Sequence, residues 1–169
     1  MTSASDKYEQ FIAKLISDII STHRDIDFLG AGAKCRLSGV LGQKHQIDVA
    51  FIDKSFTPPK LVLIECKLKN TKYRVGPEVV KILFFNGWDI TANPEYPNER
   101  LLIICSTSDF TSGAKRLAHG LVELRLELVS NALDYTFRYE NIVLAAVNSE
   151  IGFQDNPTCI VRHVDGTED

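Results

Sequence analysis

Between residues 6 and 21 apolar side chains recur every three or four positions: Tyr8, Phe11, Ile12, Leu15, Ile16, Ile19 and Ile20. That spacing predicts a helix with one apolar stripe. The period then shortens. AGAKCRLSGVLGQKHQIDVAFID (31–53) reads as two strands joined through a Gly-rich turn. The second strand, over about 45–52, carries Ile47, Val49 and Phe51 on one face and Asp48 on the other. KSFTPPK (54–60) is a loop, because Pro58 and Pro59 have no N–H to give a ladder. LVLIECKLKN (61–70) predicts a third strand. Leu61, Leu63, Glu65 and Lys67 share one face, and Val62, Ile64, Cys66 and Leu68 the other.

VGPEVVKILFFNGW (75–88) predicts a helix with Pro77 at its first position, where a missing N–H costs nothing. Phe84, Phe85 and Trp88 are expected in the core. ANPEYPNE (92–99) is turn-rich, and RLLIICSTS (100–108) predicts a buried strand. A helix over 110–119 stops at Gly120. In LVELRLELV (121–129) Val122, Leu124, Leu126 and Leu128 alternate with Glu123, Arg125 and Glu127, which favours a strand over a helix. NIVLAAV (141–147) predicts another strand, and DGTED a frayed end. Strands alternating with helices in this order predict an α/β fold, a mixed sheet flanked by helices.

Composition adds exclusions. A chain of 169 residues, 44% hydrophobic and 24% charged, is expected to form one globular domain over 1–169. Its net charge of -3 gives no bulk attraction to a polyanion, so any such site must be a local patch. Cys35, Cys66, Cys105 and Cys159 lie far apart with no C-x-x-C pair, which argues against zinc and against a disulfide framework. The N-terminus is polar and no apolar run approaches ~20 residues, so neither signal peptide nor membrane span is expected, and the protein is expected to be cytoplasmic.

Glu65 and Lys67 stand out as charges at the end of an otherwise buried strand. With Asp48 on a neighbouring strand, two carboxylates converge at strand ends, a donor set for a hard cation such as Mg²⁺ or Mn²⁺. The carbonyl of Cys66 adds an oxygen, while its thiol reads as an ordinary buried strand cysteine. A lysine beside such a cation can orient or help deprotonate a water that attacks a phosphodiester. Glu9, on the flank of the first helix, serves either as a further carboxylate of this site or as a capping partner of Asp6. From Lys60 to Lys81 six basic residues face two acidic ones, a local net of +4. Lys69, Lys72 and Arg74 in that stretch, with Lys44 and His45 ahead of Asp48, are candidate phosphate contacts.

HQIDVAFID followed by LVLIECKLKN resembles the motif of the PD-(D/E)XK nuclease superfamily, an acidic residue on one strand and E-x-K on the next. Ile47 stands where the superfamily's short name has proline. KYEQFIAKLISDI is similar to the leading helix of the Mrr-type restriction endonuclease catalytic domain, with its glutamate, here Glu9. VGPEVVKIL and LLIICSTSDFTSGAKRLA resemble the elements that follow E-x-K in that group. The resemblance covers about residues 6–129, leaving 130–169 as a C-terminal extension of the same domain. It implies a restriction-endonuclease-like fold and Mg²⁺- or Mn²⁺-dependent hydrolysis of DNA phosphodiesters, in restriction, defence or repair. Asp48 and Glu65 would be metal ligands, Lys67 the water-positioning cation and Glu9 a further site member. Mrr-type enzymes join this module to a target-reading domain for which this chain has no room, so a separate recognition subunit or a homodimer is compatible with the resemblance. The alternatives are a nuclease-fold module that binds DNA or a partner protein without cutting, and a structure-selective nuclease resembling junction resolvases.

Overall fold

A computed structural model describes residues 25–67 and 72–128, together with the backbone of three strands between 134 and 163. The helix expected over 6–21, with Glu9, and also Lys69 and the DGTED end lie outside the described residues. Strand β1 (Ile26–Ala31) leads through a 3-10 turn (Gly32–Lys34) into a short hairpin of β2 (Arg36–Ser38) and β3 (Lys44–Gln46). The chain then forms β4 (Val49–Asp53) and, beyond the two prolines, β5 (Lys60–Lys67). Helix α1 (Pro77–Thr91), β6 (Glu99–Ser106), helix α2 (Ser112–His119) and β7 (Leu124–Leu128) follow. Strands β8 (Asp134–Tyr139), β9 (Ile142–Val147) and β10 (Cys159–His163) form an antiparallel sheet of their own with β9 in the middle.

The main sheet has five strands in the order β1-β4-β5-β6-β7. β4 pairs antiparallel with β1 and β5, whereas β5, β6 and β7 run parallel. This is the mixed α/β sheet that the sequence order implies. β5 lies at its centre with Leu61, Val62, Leu63 and Ile64 all fully buried. A strand covered on both faces loses the polar alternation of a half-exposed one, which is why this stretch reads as a continuous apolar run. Helices α1 and α2, the crossovers of the parallel strands, pack on each other and on one face of the sheet. There Val80, Leu83 and Ile90 of α1 and Ala114 and Ala118 of α2 close over Leu61, Leu63, Leu102 and Ile104. Gly87 permits this contact, since a Cβ there would stand 2.7 Å from Cδ2 of Leu102. No described helix is long and apolar enough to cross a membrane.

Several expectations need correction. β1 went unread, and the strand expected over 45–52 is broken at Ile47 and Asp48, where the chain passes from hairpin to main sheet. The break interrupts the alternation, so Ile47 joins the core cluster with Ala50 and Leu63 instead of sharing a face with Val49 and Phe51. Phe85 and Trp88 are about half exposed, because α1 packs through the face of Val80, Leu83, Gly87 and Ile90 and turns these two outward. Phe84 is partly buried beneath the Arg100 guanidinium, 5.3 Å above its ring. The strand expected from residue 121 starts at Leu124, and Val122 belongs to an exposed turn.

Candidate active site

The break that displaces Ile47 also places Asp48. Its backbone is held by a hydrogen bond from the Gly32 N–H to the Asp48 carbonyl (2.7 Å), while the Ile47 N–H donates to the Cys35 carbonyl (3.1 Å). Its side chain then does the work of a ladder carbonyl: Oδ2 accepts the N–H of Cys66 at 2.7 Å. The β4–β5 register pairs Val49 with Ile64, and one further step sets Asp48 opposite Glu65. On a strand a residue's N–H and C=O point the same way. The Lys67 carbonyl turns toward β6, accepting the Thr107 N–H at 3.2 Å, so the neighbouring Cys66 carbonyl faces the Asp48 side.

Glu65 and Lys67, two residues apart on one face of β5, are bound to each other as a partly buried ion pair, Lys67 Nζ donating to Glu65 Oε1. Burial is the largest influence on Lys67 and draws its pKa down. The Glu65 carboxylate, by charge and hydrogen bond, then the charges of Asp48 and Cys66, together outweigh burial and leave it above the ordinary value. The lysine is therefore held as a cation by Glu65, within the field of Asp48. Asp48 is buried, with Glu65 and Lys67 more open beside it. Cys35 lies near enough to feel Asp48: burial, then that charge, pushes its thiol up to about 11, which makes it a poor nucleophile.

Next to Lys67 in the parallel register is Ser106, fully buried at the end of β6. Its Oγ accepts the N–H of Ser108 at 3.1 Å, and Ser108 Oγ donates to the Tyr73 carbonyl at 2.7 Å. These serines tie the basic segment after β5 to the site, a role the sequence did not reveal beyond the STS run itself. Lys72 and Arg74 are exposed there, and Lys44 is exposed on β3. His45 is not with them. It is buried, with Nε2 2.5 Å from Oδ2 of Asp89 on α1, so it anchors the hairpin and does not reach a surface phosphate. Asp89, near the end of an apolar helix, is itself fully buried.

The structure thus brings together Asp48, Glu65, Lys67 and the Cys66 carbonyl, leaves Lys44, Lys72 and Arg74 on the surface, and turns His45 inward. Among the described residues no group of three or more His, Cys, Asp or Glu side chains is placed to hold a metal. Two carboxylates and a carbonyl still suit Mg²⁺, which prefers oxygen and retains several waters.

The sequence matches no family model and no curated protein. Two solved structures resemble the fold. One is the crystal structure of a protein of unknown function, AF1548: 19% identity, TM-score 0.51, covering 71% of this chain and 56% of that one. The other is the MspJI restriction endonuclease in complex with a 27-mer oligonucleotide: 14% identity, TM-score 0.47, covering 75% of this chain and 26% of that one. At such identities the likeness concerns fold alone. The chain spans about half the length of the first and a quarter of the second.

Proposed function

We propose that this chain is a metal-dependent endonuclease that hydrolyses DNA phosphodiesters, in restriction, defence or repair. The observation that carries the proposal is Asp48 set opposite Glu65, with Lys67 paired to Glu65 and within the field of Asp48 at the end of a buried strand. The PD-(D/E)XK resemblance of the same residues supplies the substrate class. Asp48 and Glu65, with the Cys66 carbonyl, would hold Mg²⁺ or Mn²⁺. When bound, such an ion polarises a phosphoryl oxygen and eases deprotonation of water.

The chain's own residues do the rest. Lys67, on the same strand face as Glu65, would present its ammonium to the attacking water and to the charge that grows on the phosphoryl oxygens. A water oxygen forms the new bond to phosphorus as the bond to the leaving 3′ or 5′ oxygen breaks, and a proton from water ends on that oxygen. The buried backbone around Asp48 keeps its carboxylate fixed, so little reorganisation accompanies the step.

The test is cleavage of plasmid, linear and branched DNA. Mg²⁺ or Mn²⁺ should be required, Ca²⁺ should allow binding with little turnover because its looser coordination fits a compact site poorly, and Glu65→Ala should lose both metal affinity and cleavage. Undiminished cutting in excess EDTA would sink the mechanism. A parent protein that binds DNA but cuts none of its forms would be a silent nuclease-fold module.

A further inference from the structure

Tyr73 is 68% exposed, yet the backbone is held at its own carbonyl and at Val75. Its carbonyl accepts Ser108 Oγ at 2.7 Å, the Val75 N–H donates to the Asp109 carbonyl at 3.0 Å, and the Thr111 N–H donates to the Val75 carbonyl at 2.9 Å. Val75 itself is buried, in a parallel bridge with Phe110. A large, exposed aromatic side chain thus projects from an anchored stretch of backbone. The anchor leads straight to the candidate site: Ser108 Oγ lies 3.5 Å from Oγ of Ser106, the register partner of Lys67. Exposed Lys72 and Arg74 flank the ring in sequence.

An exposed aromatic ring on an anchored backbone, with cations on either side of it in sequence, matches the recognition of nucleic acid whose bases are unstacked. The cations meet the phosphates and the ring meets a base face, which a continuous duplex keeps covered. We infer that Tyr73 is a base-stacking residue, and that the site takes DNA with unpaired bases, single-stranded, frayed or branched, in preference to continuous duplex. The inference rests on the nuclease reading and narrows its substrate.

The experiment is equilibrium binding, with Ca²⁺ in place of Mg²⁺, of a labelled single strand, a fork and a blunt duplex to the parent, Tyr73→Phe and Tyr73→Ala. The parent should prefer single strand and fork. Tyr73→Ala should lose roughly 5- to 150-fold on those two, the span of one base–aromatic stack, and little on the duplex. Tyr73→Phe should match the parent, and a 2-aminopurine in the single strand should be quenched by the parent and not by Tyr73→Ala. Equal loss on all three DNAs, or a Phe variant as weak as Ala, overturns stacking in favour of a hydroxyl contact. If the parent binds and cuts with metal while Tyr73→Ala matches it everywhere, this inference falls and the nuclease reading stands. If the parent binds none of the three, both fall.

Discussion

Lys67 is held by opposing influences: burial disfavours its charge, while two carboxylates restore it. Removing the charge with Lys67→Met keeps most of the side chain's bulk and leaves Asp48 and Glu65 to bind metal, more tightly with the competing cation gone. Cleavage should fall by at least ~100-fold, the scale for losing a charge-stabilising group at the reacting phosphate. Calorimetry paired with a cleavage assay decides it: a variant that cuts like the parent makes the lysine a structural partner of Glu65. The raised pKa also fixes a sign. The stabilisation from the pair is complete below the unfolded lysine value of about 10.4 and is lost only as pH rises through the higher folded value. A pH–rate profile should therefore show no Lys67-dependent loss between neutrality and pH ~9. Cys35 likewise keeps its proton, as a neutral thiol, so iodoacetamide at neutral pH should leave this residue unmodified by peptide mass.

At the scale of elements, the β2–β3 hairpin is fastened to α1 by one buried pair. Asp89 Oδ2 meets His45, Asp89 Oδ1 accepts the Leu41 N–H at 2.9 Å, and the Val40 N–H donates to the Asp89 carbonyl at 2.9 Å. Gly39 makes the contact possible, because a Cβ there would collide with the Asp89 carboxylate. Gly39→Ala should lower the melting temperature by several degrees and, since His45 lies three residues before Asp48, weaken metal binding as well. The hydrogen bond from His45 chiefly, with the Leu41 N–H and the His45 charge, holds the Asp89 pKa below the ordinary carboxylate value against the opposing effect of burial. A depressed folded value means stability that is present above the unfolded pKa and lost as pH falls through the folded one. Asp89→Asn should thus be less stable at neutral pH and lose less on acidification below pH ~4. Thermal melts across that range would show it, and parallel acid limbs would reject it. None of this latch was legible in the sequence, because a histidine on a three-residue strand and an aspartate on a helix 44 positions away carry no joint pattern. Strands β5 and β6 were legible for the converse reason, since burial on both faces writes itself as an uninterrupted apolar run. Within the candidate site, the shared face of Glu65 and Lys67 was legible, since their spacing alone puts them there. The setting of Asp48 was not legible, because it depends on the break between two sheets.

The whole molecule carries a net charge of -3 with a local excess of +4 between Lys60 and Lys81, so on the nuclease proposal its attraction for DNA should come from cations within that stretch. Of that stretch, Lys72 and Arg74 are exposed on the segment fastened beside Lys67. Arg74 also acts on Asp109. That carboxylate is lowered first by its hydrogen bond to Lys115, then by the Phe110 N–H against burial, and in smaller measure by the Lys115 and Arg74 charges. Part of the Arg74 field is therefore spent within the protein. Replacing Lys72 and Arg74 together by alanine should weaken duplex binding and flatten its dependence on salt, each lost phosphate contact removing up to ~0.9 from the slope of log K against log salt. Asp109→Asn should act in the other direction, freeing the Arg74 charge and steepening the slope. Titrations of parent, double variant and Asp109→Asn over a series of salt concentrations separate a phosphate-binding edge from a merely solvated loop. Three coincident slopes would mean that the basic excess meets no DNA, and the backbone path would then have to be sought along Lys44 and the hairpin instead.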